Sequence, residues 1–281
     1  MSHLAAISAF ALLFAAISLQ LLPVGRLGAR LPLVLGAAAC LLGLGTLLAP
    51  KALLALALAA TLLHLQRNSK ALWLNRLGVW GIALWALAAG FHLWPGFSPL
   101  RWSEHFGRLS LPLVWHFDKG LGGLLLLVSL GATQAKEPCW PGWPRAAKIL
   151  AGAVAICLLA WAVGLASPDP RWMPLAGLWL AGNLFLAVVA EEAFFRGLLQ
   201  GQIGAALAPR LRYGVLLAQL IVAVLFALVH LGWGWRFALL AGVAGLFYGR
   251  MAAHPPKLLP AILAHFLTNS ILLICMASAL G

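Results

Sequence analysis

Three short groups of polar residues interrupt the apolar sequence of the C-terminal half. The first is Glu191-Glu192-Ala193-Phe194-Phe195-Arg196. On a helix, Glu192 and Arg196 lie four apart, share a face and form an ion pair, while Glu191 sits about 100° around from it. The second is Phe226-Ala227-Leu228-Val229-His230, which brings an imidazole to the end of an apolar run. The third is His265-Phe266-Leu267-Thr268-Asn269, with His265 and Asn269 on one helix face. A carboxylate, two imidazoles and a carboxamide suit hydrolysis of an amide. A carboxylate in a low-dielectric site accepts a proton from water. His and Asn side chains orient that water or donate to a tetrahedral oxyanion. No Ser or Cys stands beside a base in these groups, which argues against a covalent acyl-enzyme.

The surrounding sequence belongs to a membrane. Of 281 residues, 63% are hydrophobic and 9% charged, with a mean hydropathy of +0.99. A soluble domain carries about 25% charged residues. Apolar runs of about the length that spans a bilayer recur along the chain, at roughly 4–24, 31–50, 51–66, 77–95, 109–133, 147–166, 173–200, 212–231, 235–252 and 258–280, the third of them short. Backbone groups must be paired in lipid, and no alternating barrel pattern is present, so these segments are helices. The expected fold is all-α: a polytopic transmembrane bundle of about 8–10 membrane helices. The 19 Lys and Arg outnumber 6 Asp and Glu, but they fall as ones and twos between apolar runs. That is a topology signal, not a nucleic-acid surface. It places both termini outside. Thirteen Trp fit interfacial anchoring. Cys40, Cys139, Cys157 and Cys275 have no paired spacing that would suggest a disulfide or zinc cluster.

A polar, Pro-rich connection near 134–148 divides an N-terminal transmembrane region, 1–146, from a C-terminal domain, 147–281. The chemistry lies in the second part. Antiparallel helices turning near Arg210 bring Glu191 and His230 to one level. His265 matches that level only if a helix is tilted, broken or re-entrant, and Gly232 and Gly234 beside His230 permit a break.

The motifs EEAFFRG, FALVH and HFLTN, in this order on successive membrane helices, resemble the CPBP family of CAAX proteases and bacteriocin-processing enzymes, including type II CAAX prenyl endopeptidases. The resemblance covers roughly 147–280. It implies that Glu191 activates the attacking water with help from His230, that His265 and Asn269 stabilise the oxyanion, and that Glu192 and Arg196 hold the geometry. The substrate would be a membrane-associated protein or peptide. No cofactor is expected: a divalent metal such as zinc is compatible with these residue types, but there is no HExxH and spacing alone shows no ligand set. A bacterial inner membrane is the expected location.

Each residue also has a plainer reading. Glu192–Arg196 serves equally as a structural ion pair, and His230 as a packed histidine. His265, Asn269 and Asn183 serve as hydrogen-bonding glue between helices, and Phe226 as packing. Asp118-Lys119 reads as a local charge pair. His64, His92, His105 and His116 read as solvated, and His254 as a loop residue. Two other functions compete. One is a non-catalytic scaffold or immunity protein of the same fold, which has no reason to keep Glu191, His230, His265 and Asn269 together. The other is a proton-coupled transporter, which predicts paired polar sites in both halves and a repeat that the sequence lacks.

Overall fold

The computed structural model describes residues 2–21, 30–106, 111–131, 142–170, 173–253 and 258–278. Most of the Pro-rich connection (134–141), together with Cys139 and His254, lies outside the described residues. In chain order the helices are α1 (Ser2–Leu21), α2 (Leu31–Gly43), α3 (Ala52–Asn68), α4 (Leu72–Gly90), α5 (Phe117–Leu130), α6 (Trp143–Ala162), α7 (Ala176–Leu207), α8 (Gly214–Val229), α9 (Trp235–Ala253) and α10 (Leu258–Cys275). The strands are β1 (Leu100–Phe106), β2 (Leu111–Trp115), β3 (Ala166–Pro168) and β4 (Met276–Ser278).

The architecture is an all-α polytopic bundle, as the composition predicts. Helices α1, α4, α6, α7 and α10 are long and apolar enough to cross a membrane, and α2 and α8 are shorter apolar helices. Their outward faces carry residues such as Leu41, Leu84, Leu158 and Val224, all exposed. Helices apolar all round are at home in hydrocarbon. Pro32 and Pro144 stand in the first turns of α2 and α6, where their missing N–H costs nothing.

Two expectations change. The run at 109–133 is not one span: β1 pairs with β2, and the helix begins only at Phe117. Asp118 in the first turn of α5 complements the helix dipole there. The long run in the C-terminal half is a 32-residue helix, α7, with two π-helical stretches, Asn183–Val188 and Ala193–Gln200. The regular turn Val189–Glu192 lies between them and carries both glutamates. Such widened turns recur at functional sites.

The chain forms two compact units. The first comprises Met1–Trp102, Val114–Cys139 and Phe185–Phe194. Its centre is α5, buried from Phe117 to Val128 except at Lys119. Glycines let neighbours approach α5 closely. A Cβ on Gly122 would meet Ala86 of α4, and one on Gly123 would meet the Ala190 backbone of α7, each at 3.2 Å. The second unit comprises Ser103–Leu113, Trp140–Leu184 and Phe195–Gly281. In it α9 packs on α8, α10 and α6, and α10 packs on α6. The antiparallel pair β3–β4 ties the end of α6 to the end of α10. Helix α8 ends at Val229, a 3-10 turn covers Leu231–Trp233, and Gly234 at φ +98° starts the path into α9. The chain therefore breaks beside His230, where the glycines allow it.

Candidate active site

In the first unit, the two adjacent glutamates differ sharply. Glu192 is fully buried. Glu191 keeps 22% of its side-chain surface accessible and meets Lys119 of α5, whose Nζ donates to Oε1 at 3.0 Å. The ammonium gives this partly buried carboxylate a charged hydrogen-bond partner from another helix. The contact depends on close packing of α5 on α7. Gly123 faces Ala190, the residue before Glu191, and a side chain at 123 would wedge the helices apart.

Lys119 is absent from the motifs because it lies 72 residues before Glu191. Nor is it the partner of Asp118, as the sequence suggested. Asp118 accepts the backbone N–H of Lys119 at 2.8 Å and faces His92, while the Lys119 ammonium goes to Glu191.

In the second unit, Phe226 of α8 is the hub. The Arg196 guanidinium lies 4.8 Å from its ring centroid, and His230 and His265 lie at 4.5 and 5.8 Å. Phe195 meets it edge-on at 5.0 Å. Gly245 of α9 leaves the room: a Cβ there would meet Phe226 at 3.1 Å and Arg196 Nη2 at 3.3 Å. Arg196 and His265 are both buried. The packing role expected for Phe226 is present, and it gathers one residue from each motif.

The histidines are held in different ways. His230 caps α8 and donates Nδ1–H to its own helix, at Phe226 O, 2.7 Å away. In the neutral ring this leaves Nε2 with its lone pair, ready to accept a proton or hold a water. His265 stacks on Tyr248 of α9, with centroids 4.6 Å apart and planes 12° from parallel. Tyr248 belongs to no motif, and nothing in its sequence context marks it. Asn269 donates to Asn183 Oδ1 at 3.4 Å, so the carboxamide expected as glue meets a catalytic candidate. Cys157 Sγ approaches Thr268 O on the same turn of α10 at 3.8 Å.

Glu191 and Glu192 thus belong to the first unit, and Arg196, His230, His265 and Asn269 to the second. Among the described residues, one group of three His or carboxylate side chains brings its ligand atoms together. It is His92, His116 and Asp118, and no motif residue is part of it.

Residues 171–271 match the Rce1-like family of type II CAAX prenyl endopeptidases. The matched stretch holds all three motifs, from Glu191 to Asn269, and agrees with the resemblance those motifs carry. No curated protein and no solved structure matches the chain.

Proposed function

We propose, from the premise that residues 171–271 are of the Rce1-like type II CAAX prenyl endopeptidase kind, that the chain is an intramembrane endopeptidase. The observation that carries the reading is the asymmetry of two adjacent carboxylates. Glu192 is wholly buried, whereas Glu191 is partly accessible and paired with Lys119. Only the second can reach a water molecule.

In the proposed reaction Glu191 takes a proton from water as the oxygen attacks the scissile carbonyl. His230, with Nδ1 committed to Phe226 O, uses Nε2 to orient that water. His265 and Asn269 donate to the tetrahedral oxyanion. Its collapse breaks the C–N bond, and the departing amine receives the proton held by Glu191. Glu192 and Arg196 act as positioning residues, with Arg196 laid over Phe226. Water is the nucleophile, so no acyl-enzyme forms, and the step as written uses side chains alone. The substrate is a membrane-associated protein or peptide. A prenylated C-terminal Cys-aliphatic-aliphatic-X sequence is the form the family match suggests.

Glu191→Gln keeps the shape and an oxygen for Lys119 but removes the base. Cleavage of a farnesylated CAAX peptide, or of a lysate-derived membrane peptide pool, should fall by about 10²–10⁴-fold, the usual worth of a general base. A folded Glu191→Gln protein that cleaves at the wild-type rate would sink the mechanism.

A further inference from the structure

We infer that His92, His116 and Asp118 form a binding site for one divalent transition-metal ion of the zinc class. This site lies in the first compact unit, is independent of the proposed hydrolysis, and uses residues that hydrolysis leaves idle.

The three side chains converge from the end of one helix and the start of another. His92 follows α4, His116 caps α5, and Asp118 lies in its first turn. One ligand atom from each falls within 4.8 Å of the others. His92 Nδ1 is 3.1 and 3.3 Å from the two Asp118 oxygens. Zinc bonds to nitrogen and oxygen run to about 2.0–2.2 Å, so ligands on a tetrahedron stand roughly 3.4 Å apart. The His92–Asp118 edge already has that length. The two imidazoles stack, with centroids 3.7 Å apart and planes 22° from parallel. Bringing both nitrogens to one ion requires the rings to fan apart about their Cβ–Cγ bonds, a broad and soft torsion.

The backbone supports a role for the His92 side chain. Leu93 N–H bonds to Ala88 O at 2.9 Å and His92 N–H to Ala89 O at 3.1 Å, the Schellman closure of a helix. His92 occupies the left-handed position of that closure, at φ +55°. Glycine is the residue that fits there without strain. Histidine adds nothing to the turn itself, and its ring is directed at Asp118.

The electrostatics also suit a cation. Asp118 is 2% exposed and supplies a buried negative charge. The Lys119 ammonium, the nearest competing charge along the chain, is engaged by Glu191. Two imidazoles and one carboxylate leave a fourth position for water, the donor set that zinc and its neighbours accept. His92 is part-exposed, which gives the ion a way in.

The test uses the full chain without an affinity tag, in detergent micelles, stripped with a chelator and titrated with Zn²⁺. Calorimetry should give saturable binding of one ion per chain, and Tm should rise with zinc. His92→Gly removes a ligand while relieving the left-handed strain, so the variant folds. It should melt like wild type without metal and gain nothing with it. His116→Gln should weaken zinc binding by at least about 100-fold, the upper end of losses from merely supporting residues. His64→Gln, outside the cluster, should bind like wild type. No saturable zinc binding, or an equal Tm gain in His92→Gly, overturns the site. These readouts do not involve proteolysis, so they fail or succeed independently of the protease reading.

Discussion

The contact between Lys119 and Glu191 makes a quantitative prediction. At 3.0 Å the gross attraction of two unit charges is about 5.5 kcal/mol at an effective dielectric near 20. Desolvation of both groups opposes that figure. Exposed pairs net about 0–1 kcal/mol, and stripping one partner from a buried pair costs about 3–5 kcal/mol. Here the side chains keep 24% and 22% of their surface, which lies between the two limits and nearer the buried one. A coupling of about 1–3 kcal/mol is therefore expected between the two sites. The measurement is a double-mutant cycle on reversible unfolding in mixed micelles, with Lys119→Met, Glu191→Gln and the double variant. Each single change should be destabilising, and the double should cost less than their sum. Additivity within about 0.5 kcal/mol would refute the claim that Lys119 holds Glu191. If the coupling is present, Lys119→Met should also lower peptide cleavage, since the proposed base Glu191 loses the partner that holds its side chain in place.

Two packing predictions accompany it. Phe226→Ala removes the ring shared by Arg196, His230 and His265 and should cost about 3–5 kcal/mol, read by thermal unfolding, with Phe226→Tyr much milder. Gly123→Val should drive α5 off Ala190 and cost about 1–3 kcal/mol, and a Val variant as stable as wild type would show that the close approach is dispensable.

The sequence marks most plainly what stands within one helix. Glu191, Glu192 and Arg196 stand within six residues, and scarcity of charge in apolar sequence makes them conspicuous. It failed where partners come from distant elements. Lys119 reaches Glu191 only because Gly120 and Gly123 let two helices approach, a property of packed surfaces rather than of spacing. His92 and His116 read as solvated because 26 residues separate His92 from Asp118. The segment Leu111–Trp115 read as the start of a span because hydropathy is the same for a short strand and a helix entrance. The break at His230 was legible, since Gly232 and Gly234 stand beside it. Tyr248 was not, because stacking on His265 leaves no mark in either sequence neighbourhood.

The two widened stretches of α7 bear on how this helix tolerates insertion and deletion. A π stretch closes its hydrogen bonds one residue later than an α-helix, so it holds surplus chain without ending the helix. Loss of one residue from Ala193–Gln200 would let that stretch rewind as ordinary α-helix. The residue lost is the surplus one, so the helix on either side would keep its register rather than turn by the roughly 100° that a deletion from a regular α-helix imposes. The two widened stretches between Asn183 and Gln200 are thus where this helix can lose a residue without changing which side chains face its neighbours. Single-residue deletions there are expected to be tolerated better than a deletion from the regular turn Val189–Glu192.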